Sequence, residues 1–215
     1  MRLRTRNSNA KPTPYVVPPT TKFEGNDGSW STFYVGVGIP EAQNFRVLVS
    51  MTSPVTWIIA SQGCTTSDPS DCSDLRGIEN YGAAKSSGYN PLDSTNSTQI
   101  GDFQMMLDNG PPSSIYGPQY NYINASFYLD IVGLGPSPSS SLELHEVVGA
   151  ITSKDIFLGE FGLGINDARF QSGGYQTFLE ASLNCSMPIP SLSYGYTAGA
   201  SYRKHRFHLP SKPPY

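Results

Sequence analysis

The sequence predicts an all-β domain with one or two short helices. Three observations carry that expectation: short runs that alternate apolar and polar residues, strong turn signals between them, and a residue stock rich in strand and turn formers. The chain has 215 residues, among them 21 Gly, 18 Pro, 13 Tyr and 10 Phe. That length allows one domain with a sizeable core, or at a stretch two small ones.

The elements follow in order. Residues 1–24 are polar, Pro-rich and without periodicity, and read as a disordered or extended leader. Within it Tyr15-Val16-Val17-Pro18-Pro19 forms at most an edge strand, because proline cannot donate to a ladder. From Trp30 the pattern changes. Phe33, Val35, Val37 and Ile39 alternate with Tyr34, Gly36 and Gly38, which predicts a strand. Pro40–Asn44 is a turn, and Phe45, Val47 and Val49 alternate through a second strand, so the pair reads as a hairpin. Thr56–Ala60 is a short apolar run suited to a buried strand.

Residues 73–99 are turn-rich and weakly patterned. Met105-Met106-Leu107, Ser126–Val132 and Val147–Thr152 read as strands, and Asp108-Asn109-Gly110-Pro111-Pro112 is a turn. Glu160-Phe161-Gly162-Leu163-Gly164 is short, apolar and punctuated by glycine. Tyr175, Phe178, Leu179 and Leu183 make one apolar stripe at i, i+3, i+4 and i+8, which predicts a helix over 175–183. Ser191–Tyr196 returns to strand periodicity, and residues 204–215 form a basic, Pro-rich tail.

Composition excludes several classes of function. Charged residues are 14%, against the usual quarter, and the net charge is -3. That balance predicts no nucleic-acid partner. No apolar run reaches the eighteen or so residues of a membrane-spanning helix. Arg2, Arg4 and Arg6 are followed by the polar Asn7–Lys11, so no secretory signal is expected. Other features favour export. Cys64 and Cys72 bracket a short Thr/Ser/Asp/Pro loop and read as a disulfide, leaving Cys185 as a free thiol or the half of a bridge to another chain. Glycosylation sequons begin at Asn96, Asn124 and Asn184.

No local motif announces an enzyme. Gly36-Val37-Gly38 leads into Pro40 and another strand, so it marks a strand rather than a dinucleotide loop. The three histidines, in His145-Glu146 and His205-x-x-His208, lack a convincing set of metal ligands, so neither a metal nor another cofactor is expected. The Gly-x-Ser-x-Gly elbow of serine hydrolases is absent. Asp68, Asp71 and Asp102 read as turn chemistry, and Asp130 and Asp155 as groups that bond or cap backbone beside apolar strands.

Taken in order, these segments resemble the N-terminal lobe of the pepsin-like aspartic peptidases, most closely the fungal secreted type. Trp30–Pro40 resembles the family's opening strand and Gly-x-Gly-x-Pro turn. Phe45–Val49 resembles the strand that delivers its active-site loop, and Trp57 the tryptophan after that loop. Cys64 and Cys72 match its small disulfide, and Asn90-Pro91-Leu92-Asp93-Ser94 its Asn-Pro-x-x-Ser. Phe161–Gly164 is similar to the segment that crosses beneath the loop, and Phe178–Tyr194 to the helix and strand that follow.

The resemblance covers about residues 25–203. It implies a six-stranded-type β-barrel lobe, an extracellular or cell-wall location and a glycoprotein. The family's chemistry needs an aspartate in an Asp-Thr-Gly loop from each of two lobes, sharing a proton and activating water. Counted back from Trp57, the loop here is Ser50-Met51-Thr52-Ser53, with Ser50 in place of the aspartate. A serine hydroxyl cannot act as that general base. The flap tyrosine is replaced in turn, with Leu107-Asp108-Asn109-Gly110 as the nearest equivalent. The resemblance further implies a second lobe beyond Tyr194, which points to an incomplete gene model and to an apolar inter-lobe face prone to self-association. The expected function is therefore an aspartic-peptidase-like domain without catalysis, retaining a cleft for peptide or cell-wall polymer. The alternatives are an endopeptidase active only in a longer, two-lobed product and a non-enzymatic glycan-binding or structural module of the cell surface.

Overall fold

Alternation along the chain is satisfied by burying strands on both faces. A computed structural model describes residues 15–25, 28–79, 88–106, 122–135, 142–184, 189, 193–196 and 207–208. The strands run β1 (Val16–Val17), β2 (Pro19–Glu24), β3 (Trp30–Val37), β4 (Gln43–Ser50) and β5 (Thr56–Ile59). After a four-residue helix, α1 (Cys72–Leu75), come β6 (Ile78–Glu79), β7 (Thr98–Met106), β8 (Tyr122–Leu134), β9 (Glu143–Ile151) and β10 (Gly159–Gly162). The chain continues through β11 (Ala168–Phe170), β12 (Gly173–Tyr175), α2 (Phe178–Asn184) and β13 (Phe207–His208). The protein is all-β with two short helices.

Six strands close on themselves. The order β3-β4-β10-β5-β9-β8 is completed by pairing of β8 with β3, through Val35↔Leu134 and Val37↔Val132. Each strand of this ring contributes to one apolar cluster: Val35, Val47, Phe161, Ile58, Val148 and Val132 among others. Residues of opposite parity on β5, β8 and β9 (Trp57, Phe127, Val147 and Ile151) build a second cluster on the outer face. A period of two places these two sets on opposite sides of the same strands. β2 lies on the edge beside β3, and β7 on the edge beside β8.

The insertion of β10 is the unusual pairing. β4 and β5 are joined by the 51–55 loop yet do not pair with each other. β10 lies between them, parallel to β4 (Phe161↔Val49, Gly162↔Ser50) and antiparallel to β5 (Glu160↔Trp57). The chain then passes beneath the loop. The Leu163 N–H donates to the Ser50 carbonyl at 2.8 Å, and the Gly164 N–H to the Ser53 carbonyl at 2.8 Å. A side chain at 164 would put its Cβ 2.6 Å from the Thr52 carbonyl oxygen, so only glycine fits this crossing.

Two arginines tie the periphery to the ring. Arg46 is 1% exposed, and its Nε donates to Glu24 of β2 at 2.6 Å. The same guanidinium pairs with Glu79 of β6 and with Asp74 of α1, which also holds Lys22 at 2.7 Å. Arg76 donates to the carbonyls of Gly63 at 2.7 Å and Ile156 at 2.8 Å, fixing the Cys64–Cys72 loop to the turn after β9. The disulfide is formed, with Cα atoms 5.9 Å apart.

The elements depart from the sequence reading in four places. Residues 16–24, read as part of the leader, form β1, which pairs with β13, and β2, held at the sheet edge by the Glu24–Arg46 pair. The helix begins at Phe178 rather than 175. Thr177 and Glu180 form a reciprocal capping box, with Thr177 N–H to Glu180 Oε2 at 3.2 Å and Glu180 N–H to Thr177 Oγ1 at 3.4 Å. Tyr175 falls in β12 instead. In the tail, Phe207 and His208 pair with Val17 and Val16. Of the turn-rich stretch 73–99, residues 88–99 and 73–79 are described, and they hold α1, β6, a 3-10 turn at Pro91–Asp93 and the start of β7. The 191–196 segment enters no named strand among its described residues.

Arg46→Ala leaves Glu24 buried without its cation. Breaking a buried pair from one side costs about 3–5 kcal/mol. Urea denaturation of Arg46→Ala is expected to show a loss of that size.

Candidate functional site

β4 delivers Ser50 to the mouth of the ring. Ser50 is 3% exposed, and its Oγ accepts from the Ser53 N–H at 3.2 Å and lies 3.4 Å from Thr52 Oγ1. Ser53 turns the chain back, its hydroxyl donating to the Val55 carbonyl at 2.8 Å and accepting from the Val55 N–H at 3.3 Å. The Gly162 N–H, from below, donates to Thr56 Oγ1 at 3.2 Å. Met51, in the loop, is 60% exposed. Among the described residues no imidazole or carboxylate bonds to Ser50 Oγ. The loop thus presents three neutral hydroxyls and no group that titrates as a general base.

Beside the loop opens a cleft of about 490 Å³. Thr52, Ser53, Pro54 and Val55 form one rim. Trp57, Phe103 and Phe127 form a wall, Phe170 and Arg169 of β11 the far side, and Glu160 of β10 lines it as well. The rings pack on one another, with centroids of Phe103–Phe170 at 5.2 Å and Phe127–Phe170 at 5.0 Å. Strand register explains the wall. Glu160 pairs with Trp57, Trp57 with Gly149, and Gly149 with Phe127, so these four stand in one row across three strand pairs. Gly149 leaves room between the two rings. A Cβ there would sit 3.2 Å from the Phe127 ring and 3.3 Å from Trp57.

A second polar cluster lies inside. Asp130 is fully buried and accepts from Tyr89 Oη at 2.8 Å, Ser94 Oγ at 2.7 Å and the Ile131 N–H at 2.7 Å. Burial, reinforced by Asp130 and opposed by Ser97, pushes the Tyr89 phenol well above its ordinary value, so it stays a donor. Ser94 in turn accepts from the Ile39 N–H at 3.3 Å. This carboxylate pins the Asn90–Ser94 segment to the β3–β4 turn. The expectation that Asp130 bonds backbone holds; Asp155 instead accepts from the Ser153 hydroxyl at 3.2 Å.

Glu146 faces Asp130 across the β8–β9 register. It is 5% exposed, and its Oε1 has no hydrogen-bond partner. Burial, with the nearby Glu180 of α2, raises its pKa to about 8. His145, one residue earlier, points to solvent by alternation, so the two cannot share a metal. Sequence reading singled out the pair and missed that one member is a core carboxyl. The signal was available: Glu146 occupies an inward position between Leu144 and Val148.

The remaining sequence-derived sites are placed as follows. Asn96 is exposed in the turn before β7, and Asn124 is exposed near the start of β8 opposite Gln104. Asn184 ends α2. The flap residues Leu107, Asp108, Asn109 and Gly110 lie outside the described residues, as do Cys185 and His205. Among the described residues no helix is long and apolar enough to cross a membrane. No protein-family model and no curated protein sequence matches the chain.

The raised pKa of Glu146 makes stability depend on pH. The native state keeps the proton up to about pH 8, whereas the unfolded chain releases it near pH 4.5. Its contribution is complete below about pH 4.5 and is lost as pH rises to about 8. At about 1.4 kcal/mol per unit, the loss across that window is on the order of 4–5 kcal/mol. Thermal melts across the window should show the Tm of the wild type falling by about 10 °C relative to Glu146→Gln, whose side chain cannot ionise.

Proposed function

We propose that this chain is a pepsin-like lobe that has lost its catalytic carboxylate and retains the adjoining cleft as a peptide-binding site. The observation that carries the reading is the position of Ser50. It ends β4, directly above a strand threaded between β4 and β5, in the loop that the resemblance assigns to the catalytic aspartate. The closed six-strand ring, the Cys64–Cys72 bridge and Trp57 beside the loop support the same reading. So does the hydrogen-bonded Asn90–Ser94 segment.

The chemistry follows from the substitution. Peptide hydrolysis by a carboxylate pair needs one carboxylate to take a proton from water while the other is protonated. Ser50 Oγ is neutral at any working pH and is already held by the Ser53 N–H. It can neither draw the proton from water nor share one with a partner. The cleft loses nothing by this exchange, since its walls come from other strands. An extended peptide laid along it would meet the 52–55 rim and the aromatic wall. The disulfide fits an extracellular site of action, where an oxidising medium preserves it.

Two measurements test this reading. Incubation with a denatured protein substrate at acid pH should give no pepstatin-sensitive cleavage, and Ser50→Asp alone should give none. Cleavage by the wild-type chain would overturn the loss of catalysis. The chain has two tryptophans, so in Trp30→Phe the emission reports Trp57 in the cleft wall. Titration with a library of extended heptapeptides should give saturable emission changes; a flat response to all of them would remove the cleft from the proposal.

A further inference from the structure

A second groove, of about 650 Å³, lies on the opposite face of the strands that wall the cleft beside Ser50. Alternation along β8 divides the two: Phe127 faces the cleft, while Ser126 and Tyr128 face the groove. The floor comes from Gln99 of β7, those two residues of β8, Ala150 of β9 and Thr152 just after it. One wall is Ala60 and Gln62 after β5, and the other is the Tyr89–Leu92 segment. The second wall is fixed in place. Tyr89 Oη bonds Asp130 at 2.8 Å, and the Asn90 backbone bonds the Gln43 amide through both its N–H and its carbonyl.

Among the described residues, the lining of this groove holds no carboxylate, ammonium, guanidinium or imidazole. Its polar groups are neutral, and several are uncommitted. Gln62, Gln99 and Thr152 are exposed, and none of these side chains has a hydrogen-bond partner among the described residues. Asn90 Oδ1 is taken by the Leu92 N–H at 3.3 Å, which leaves Nδ2 to donate. Tyr128, half-buried, packs edge-on against Tyr89 with ring centroids 5.6 Å apart. A side-chain amide both donates and accepts, and so does a hydroxyl. A ligand rich in neutral hydroxyls can therefore pair with each of these groups while its C–H face lies on a tyrosine ring. An apolar ligand would bury the amides unpaired. A phosphate or carboxylate ligand would give up its water with no cation to replace it. We infer that the groove binds a neutral oligosaccharide, its hydroxyls bonded by Gln62, Asn90, Gln99 and Thr152 and a sugar ring lying against Tyr128. The volume falls within the roughly 300–1,000 Å³ of small-molecule sites. This site is separate from the cleft beside Ser50 and stands whether or not that cleft takes peptide.

The test titrates the full chain by calorimetry with four neutral hexasaccharides (laminarihexaose, cellohexaose, mannohexaose and N-acetylchitohexaose) and one charged counterpart, hexagalacturonate. At least one neutral sugar should bind saturably, with an affinity that does not move between low and high salt. Hexagalacturonate should bind about tenfold more weakly than that sugar, or not at all. Gln62→Ala combined with Gln99→Ala removes two exposed amides, and circular dichroism should show the fold unchanged. This double variant should bind the sugar about tenfold more weakly, the effect of two lost hydrogen bonds. Its response to heptapeptides in the cleft should match that of the wild type. Failure of all four neutral sugars to bind would overturn the site. A sugar that binds the double variant as tightly as the wild type would overturn it too, by placing the ligand elsewhere. Hexagalacturonate binding most tightly, or a heptapeptide whose binding the double variant abolishes, would overturn the ligand class.

Discussion

The structure depends on one strand being held between two others. β4 and β5 are consecutive, and a simple hairpin would pair them. Because β10 occupies the slot, the linker between them is lifted off the sheet and spans a passing backbone. Its carbonyls are spent on N–H groups of Leu163 and Gly164, and its own N–H of Ser53 turns to the Ser50 hydroxyl. The loop is thereby specified by backbone bonding from below together with the Ser50 and Ser53 hydroxyls. That is why Met51 and Thr52 are accommodated there: both point outward and are exposed.

Among the described interior polar groups, Arg46 and Asp130 answer burial in one way and Glu146 in another. Arg46 and Asp130 are buried deeply and each is surrounded by partners: three carboxylates for the first, two hydroxyls and an N–H for the second. Each fastens an outer segment to the ring, Arg46 the edge strand β2 and the α1–β6 turn, Asp130 the Asn90–Ser94 segment. Burial of charge is tolerable when the partners are supplied. Glu146 lacks them and answers by keeping its proton. Its partner across the register, Asp130, already has its oxygens taken, and its neighbour on α2, Glu180, is of the same sign and serves the capping box.

Much of this was legible in the residues. Alternation in 33–39 and 45–49 locates β3 and β4, and the apolar run at 56–60 locates β5, because side-chain parity is a local property. The Cys64–Cys72 pairing was legible from its short spacing. Which strand lies beside which was not. Glu160–Gly164 reads as a short apolar segment, but its slot between β4 and β5 is set by a contact across more than a hundred residues, which no window of sequence contains. The cleft was hidden for the same reason. Trp57, Phe127 and Glu160 are far apart in the chain and meet only through the register of β10, β5, β9 and β8. The start of α2 was misjudged because Tyr175 continues the apolar stripe, while the Thr177–Glu180 box decides where helical bonding begins.

The inserted strand also fixes an order of events in synthesis. When β4 and β5 leave the ribosome, the segment that must lie between them is about a hundred residues from being made. The two cannot zip together, and each waits with an unsatisfied edge. The ring closes only after Gly159–Gly162 emerges, so its central contacts each span about a hundred residues. Loop closure of that span has to be met before any of them contributes, which is the signature of slow folding. During that interval the exposed edges of β4 and β5 are open to other chains, and a nascent chain of this kind benefits from a holdase until the last central strand arrives.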